Sequence, residues 1–344
     1  MKKRSSLVII GILLLLAGFS VYVYKNKNKS TTVDADARNF KFKDTAAITK
    51  IFIADKEGDQ STLERTKNGW VVNNKYPCRS DAILNLMEVI KNVEVKMPVS
   101  KNAKVSVLKY MATTALKVEI YAGDELVKQY YVGHETPDSE GTYMLLSDPE
   151  TGENYKDPFV TFIPGFQGFL LPRFIAKENE WRNTVVLNYT PPQIRQIAVK
   201  HLTQPDSSFT IELLNTTSFK LKDSKNNELP FDENKMKQYL AYFQNISYEA
   251  LFTGKNKKLE DSLAAQKPFT IISVTSTDFK TSDYKFYYKA TTGLIPEHGV
   301  VYKYDPDRLY LRYENDKEWA LVQYFVFGKL FVTPRYFEPS NVKK

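Results

Sequence analysis

The chain has 344 residues, of which 42% are hydrophobic and 13% aromatic, and its 48 Lys/Arg against 40 Asp/Glu give a formal charge of +8. That length accommodates two domains of ordinary size. Six of the basic residues and no acid fall within the first 29 positions, so the remainder is nearly balanced and mixed in sign, which excludes the concentrated basic face of a nucleic-acid binder.

The first element is an uncharged apolar run, Leu7–Tyr24, behind Lys2-Lys3-Arg4. A bilayer core about 30 Å thick needs roughly 20 such residues, and the run lies near the lower limit. Bulky residues at Val21–Tyr24 offer no small-residue cleavage site, and Leu16-Ala17-Gly18 is followed by Phe19 rather than the cysteine of a lipoprotein signal. The expected arrangement is a cytoplasmic tail at 1–6, an uncleaved transmembrane signal-anchor at 7–24 and a polar tether at 25–40. The expected location is the inner (cytoplasmic) membrane, single-pass, with the bulk of the chain in the periplasm and membrane lipid as its partner through Leu7–Tyr24.

After the tether the chain runs through one plan twice, so that a first domain at 41–185 and a second at 186–337 are expected, with a tail at 338–344. Ile48–Ile53 resembles Ile194–Val199, Gly69–Val72 resembles Ser218–Leu221, and Asn73–Pro77 resembles Asn226–Pro230. Leu116-Val118-Ile120 is matched to Phe269-Ile271-Ser273, Tyr130-Tyr131 to Tyr287-Tyr288, and Leu171–Phe174 to Thr333–Tyr336. The spacing between partners grows along the chain and never shrinks, as a duplication with insertions in the second copy produces.

In each half, alternating strands lead into an Asn-Asn turn, a proline and then a helix. In the first helix Ser80 is the expected cap and Ile83, Met87, Ile90 and Val93 the apolar stripe; in the second these roles fall to Asp232 and to Met236, Leu240, Phe243 and Ile246. Further strands are expected at Leu116–Tyr121, Leu126–Val132, Thr270–Val274 and Tyr284–Lys289. The fold class is α+β: two tandem, internally duplicated, strand-rich domains, each an antiparallel sheet with one covering helix, behind one N-terminal transmembrane helix.

The densest polar stretch is Gly133–Thr142. Imidazole and carboxylate suit divalent metals, so His134, Glu135 and Asp138 are weak metal-ligand candidates, but Gly, Pro and Asp at these positions favour a hairpin loop between Tyr130–Val132 and Tyr143–Leu146. His298 could add a second imidazole only if the halves met face to face, and His201 has no evident partner. No His-Glu-x-x-His spacing, nucleophile elbow or phosphate loop is present. Asp305-Pro306-Asp307-Arg308 reads as a turn with an Asp–Arg pair rather than a calcium loop. Cys78, the lone cysteine, permits no internal disulfide and reads as a small buried hydrophobe. The apolar stretches Phe159–Phe174 and Leu321–Tyr336 read as core that closes each half, with Phe166, Phe169, Leu170 and Phe331 as candidate partner-surface residues.

Taken together, Trp70-Val71-Val72-Asn73, Tyr131-Val132-Gly133, Thr136-Pro137-Asp138, Gly141-Thr142-Tyr143-Met144, Ile163-Pro164-Gly165-Phe166, Trp181-Arg182, Ser208-Phe209, Tyr304–Arg308 and Gln323–Phe327 resemble the bacterial envelope family called domain of unknown function 4340. The resemblance implies an N-terminally anchored extracytoplasmic protein, accessory to transport systems of the gliding-motility type, and brings no catalytic residues. The expected function is a non-enzymatic scaffold or interaction module of the envelope, with envelope or membrane proteins as partners, no nucleic acid and no cofactor. The alternatives are a module that binds a lipid, peptide or glycan between the halves, and a metal-dependent hydrolase built on the His134 loop.

Overall fold

A computed structural model describes residues 36–215, 217–254, 256–291 and 302–339. The expected signal-anchor at Leu7–Tyr24, His298 and most of the expected C-terminal tail lie outside them. Among the described residues, no helix is long and apolar enough to cross a membrane. The chain divides into two compact units, one ending at Asn183 and the next beginning at Thr184.

The first unit begins with β1 (Ile48–Ala54), β2 (Gln60–Thr66), β3 (Gly69–Val72), β4 (Tyr76–Pro77), α1 (Ser80–Asn92), β5 (Glu94–Pro98) and α2 (Lys101–Thr114). It continues with β6 (Leu116–Ala122), β7 (Glu125–Glu135), β8 (Thr142–Ser147), β9 (Phe159–Phe162), a 3-10 turn at Leu171–Arg173 and the single turn α3 (Glu178–Trp181). All nine strands form one antiparallel sheet in the order β4-β3-β2-β1-β6-β7-β8-β9-β5. Alternation along the central strands turns Ile51, Ile53, Val118, Ile120 and Tyr130 inward, where α1 covers them with Ile83, Leu86, Val89 and Ile90. Each such side chain, fully buried, contributes about 1.5–3 kcal/mol. The opposite face is covered too: Val107 and Met111 of α2 pack with Ala115 and Leu145 against Tyr131 and Tyr143.

The second unit opens with β10 (Val185–Leu187), β11 (Ile194–His201), β12 (Phe209–Leu213), β13 (Phe219–Asp223), β14 (Glu228–Leu229), α4 (Glu233–Ala241), β15 (Ile246–Ser247), β16 (Ala250–Leu251) and α5 (Lys257–Ala264). Then come β17 (Thr270–Ser276), β18 (Thr281–Ala290), β19 (Tyr304–Tyr313), β20 (Glu318–Gln323), the short α6 (Tyr324–Phe327) and a 3-10 turn at Pro334–Phe337. Its nine-stranded sheet runs β14-β13-β12-β11-β17-β18-β19-β20-β16, strand for strand the order of the first, while β10 and β15 make a separate pair. α4 covers one face with Met236, Tyr239 and Leu240, and α5 covers the other through Leu263 beside Tyr287 and Trp319.

The correspondence reaches single residues. The ladder between β1 and β6 slips between Ile48 and Lys50, and the ladder between β11 and β17 slips between Ile194 and Gln196, so both sheets carry the same irregularity at the same place. Phe42 donates its backbone N–H to Ile90 O at 2.8 Å, and Tyr189 donates to Phe243 O at 2.9 Å. These bonds make Phe42 the counterpart of Tyr189, and Ile90 that of Phe243.

Several expectations need correction. Each sheet is covered on both faces, by two helices rather than one. Arg79, not Ser80, holds the cap position of α1 and makes no side-chain capping bond, whereas Asp232 does cap α4 by accepting from the N–H groups of Asn234 and Lys235. The stripe on α1 is Ala82, Ile83, Leu86, Val89 and Ile90, with Met87 only half-buried. The tether cannot extend to residue 40, because Ala37 and Phe40 are buried and the Phe40 ring packs on Tyr130 and Phe159. Leu116-Val118-Ile120 aligns with Thr270-Ile272-Val274, one residue from the expected match, and Tyr130 aligns with Tyr284 rather than Tyr287.

Candidate functional site

The Gly133–Thr142 stretch is the hairpin joining β7 to β8. Its polar groups are engaged locally. Thr136 donates its hydroxyl to Asp138 Oδ1, which also accepts from Glu140 N at 3.2 Å. The Thr136 bond, the Glu140 N–H and nearby Lys96 hold the Asp138 carboxyl below its ordinary range. His134 sits edge-on between Tyr110 (4.4 Å) and Tyr143 (5.1 Å), and its Nδ1–H donates to Glu135 O at 2.7 Å, since a carbonyl can only accept. Among the described residues no three His, Cys, Asp or Glu side chains group as a metal site, so His134, Glu135 and Asp138 do not converge as ligands.

The other singled-out polar residues are also structural. His201 is buried; its Nε2–H donates to Val332 O at 2.9 Å and its Nδ1 lies 3.0 Å from the Thr270 hydroxyl. Asp305, second residue of β19, makes the expected local turn, its Oδ1 accepting from Asp307 N and Arg308 N, while Lys289 donates to its Oδ2 at 2.7 Å. Arg308 pairs with Glu249 at 3.0 Å, in place of the expected Asp–Arg pair. Cys78 is buried, and burial pushes its thiol up to about 12, which leaves it un-ionised and unreactive at neutral pH.

The candidate partner-surface residues separate. Leu170 is 0% exposed and belongs to the first core, which corrects that assignment. Phe166 is half-buried under the Arg173 guanidinium, 4.4 Å from the ring centre, between Gly165 and Gly168 at positive φ. Phe169 is half-buried. Phe331 is also half-buried and packs on the core rings Phe269 and Phe286.

Phe331 nevertheless borders the most exposed aromatic surface described. Alternation along β18 puts Tyr284, Phe286 and Tyr288 on one face. The first two are buried, while Tyr288 lies beyond the core and stacks on Phe269 (4.2 Å) and on Tyr304 (4.5 Å). Burial, with Tyr324 and Tyr304 close by, raises the Tyr288 phenol above its ordinary value. Tyr324 lies 6.1 Å from Phe331 across Gly328, where a Cβ would come within 2.9 Å of the Tyr324 ring. Beside Tyr324, Phe325 is 93% exposed. Reading Leu321–Tyr336 as core hid this residue; the available signal was the helical turn itself, which buries Phe327 and turns Phe325 away from it.

In the first unit an open hollow of about 560 Å³ has Leu116, Leu171, Phe174 and Ile175 among its apolar lining, with Lys56 and Lys177 also on its wall. A second, of about 470 Å³, lies between the end of α1 and Ile163-Pro164.

A family model described as a domain of unknown function, DUF4340, matches residues 70–267, from β3 into the segment before β17. The chain belongs to the DUF4340 family. No curated protein and no solved structure matches it. The DUF4340 match covers the His134 hairpin and most of the lining of the larger hollow, though not Asp55, Lys56 and Glu57, and it stops short of Phe269, Tyr288 and Phe325.

Proposed function

We propose that the protein is a membrane-tethered interaction module of the bacterial cell envelope, accessory to a transport- or motility-type membrane complex and not itself a catalyst. In this reading Leu7–Tyr24 is a single-pass signal-anchor in the inner membrane and the two units stand in the periplasm. The observation that carries the reading is the aromatic surface of the second unit. Phe325, Tyr324, Tyr288 and Tyr304 together spend large apolar side chains on solvent, and such rings are the usual anchors of protein interfaces. The engagement of Asp138 and His134 within their own hairpin supports a non-catalytic role for the densest polar stretch.

A photo-crosslinking residue at position 325 tests this in the full chain within native membranes. The expected result is one stoichiometric membrane-protein adduct, absent when the same group is placed at Phe279, which is exposed elsewhere on the unit. Phe325→Ser should lose co-purification of that partner while shifting stability by less than about 0.5 kcal/mol. Equal adduct patterns from positions 325 and 279 would end the idea.

The larger hollow favours a second reading, a small-ligand module, since its 560 Å³ lies in the ordinary range of ligand sites. Native mass spectrometry of the intact protein should then show a co-purifying molecule that Leu171→Trp displaces. A clean apo mass in every preparation would remove it.

A further inference from the structure

The hollow beside the end of α1 is lined by Lys41, Lys43 and Lys91 together with Glu88 and Glu94. Lys41 pairs with Glu94 at 2.8 Å and Arg173 pairs with Glu88 at 2.7 Å, which neutralises both acids. Lys43 and Lys91 are exposed and, among the described residues, have no ion-pair partner, so the face keeps two uncompensated positive charges. The second unit supplies an internal control. With Phe42 matched to Tyr189 and Ile90 to Phe243, the counterparts of Lys41, Lys43 and Lys91 are Asn188, Thr190 and Gln244, all neutral. The same backbone frame therefore carries the lysines only in the unit that follows the N-terminal run. That run ends at Tyr24, and the chain between it and Asp36 spans at most about 40 Å when fully extended. Lys25, Lys27 and Lys29 in that segment add charge of the same sign.

We propose that this lysine face of the first unit rests on the surface of an anionic phospholipid bilayer, the same bilayer the N-terminal run enters; the inference builds on the anchor reading above. The chain length restricts how far the first unit can stand from the lipid, and the unpaired ammonium groups decide which side turns towards it. A lysine near an anionic surface gains about 1 kcal/mol, or roughly fivefold in occupancy, and salt screens the gain.

The test reconstitutes the full chain into phosphatidylcholine vesicles with or without phosphatidylglycerol and maps lysine labelling by a water-soluble amine reagent. With phosphatidylglycerol, labelling of Lys43 and Lys91 should fall about fivefold, recover in high salt, and leave the exposed Lys109 of α2, on the other face of the same sheet, unchanged. Substituting the second unit's residues, Lys43→Thr with Lys91→Gln, should abolish the lipid dependence that remains at Lys41. Equal labelling in both vesicle types, with the chain retained through an alkaline wash, overturns the inference and leaves the anchor intact. A chain that washes off the vesicles overturns both. Inorganic phosphate that protects the two lysines in neutral vesicles as well as phosphatidylglycerol does would show a soluble-anion site and overturn the bilayer reading.

Discussion

Tyr130 and Tyr284 hold the same position in two sheets of identical strand order, yet their hydroxyls differ in fate. In the second unit the Tyr284 hydroxyl lies 3.2 Å from the Tyr189 hydroxyl and 3.5 Å from Val186 O. In the first, Tyr130 OH is the one buried side-chain polar atom without a partner among the described residues. The counterpart of Tyr189 is Phe42, which carries no hydroxyl to partner the Tyr130 one. The frame is held by backbone ladders and two-sided packing, which tolerate a lost side-chain bond. Each copy is thus free to diverge where it meets solvent: lysines beside α1 in one, exposed aromatic rings after β20 in the other.

The largest effects should be shared by both units. Leu86→Ala in α1 and Leu240→Ala in α4 each remove a buried side chain and should each cost about 2–5 kcal/mol in denaturant unfolding. A large loss from one and none from the other would break the equivalence of the two cores. His201→Ala should cost about 1–3 kcal/mol, because Val332 O is left unsatisfied inside the second unit. Its first-unit counterpart, Asp55, makes only a local turn by accepting from Glu57, Gly58 and Asp59 N–H at 2.9 Å, so Asp55→Ala should cost less.

Smaller effects should differ in sign. Tyr284→Phe should destabilise by about 0.5–1.5 kcal/mol, whereas Tyr130→Phe should be neutral or stabilising, since it deletes an unpaired buried hydroxyl. A similar loss from both would show that Tyr130 has a partner after all. A last effect appears only at alkaline pH. The Cys78 thiol rises from 9.0 to about 12 on burial, so its folded value is the raised one. Its contribution is whole below the unfolded value and is lost as pH climbs from there through the folded value. Stability should therefore fall between about pH 9 and 12, and Cys78→Ala should flatten that slope.

The strand alternation, the Asn turns at positive φ and the cap at Asp232 were legible from residue types alone. The register of β17 was not. Ile272 is buried in the core and Ile271, facing the other way, is half-buried yet also apolar, so the polar–apolar contrast that normally labels a face is missing. α2 escaped notice because it buries only Val107 and Met111 over fourteen residues, too sparse a stripe to stand out. At the candidate surface the difficulty ran the other way: Tyr324–Phe327 is apolar throughout, and composition does not distinguish Phe325, which faces water, from Phe327, which is buried.

The rim of the first sheet bears on how copies of the protein coexist. β5 pairs with β9 alone, which leaves its other backbone edge open. An open edge invites a neighbouring molecule to continue the ladder, but Lys96 brings charge into this strand and Pro98 withholds a donor at its end. In the second unit the matching rim, β16, has only two residues, too few to template anything. Neither rim then offers a neighbouring copy a long uncharged strand to extend.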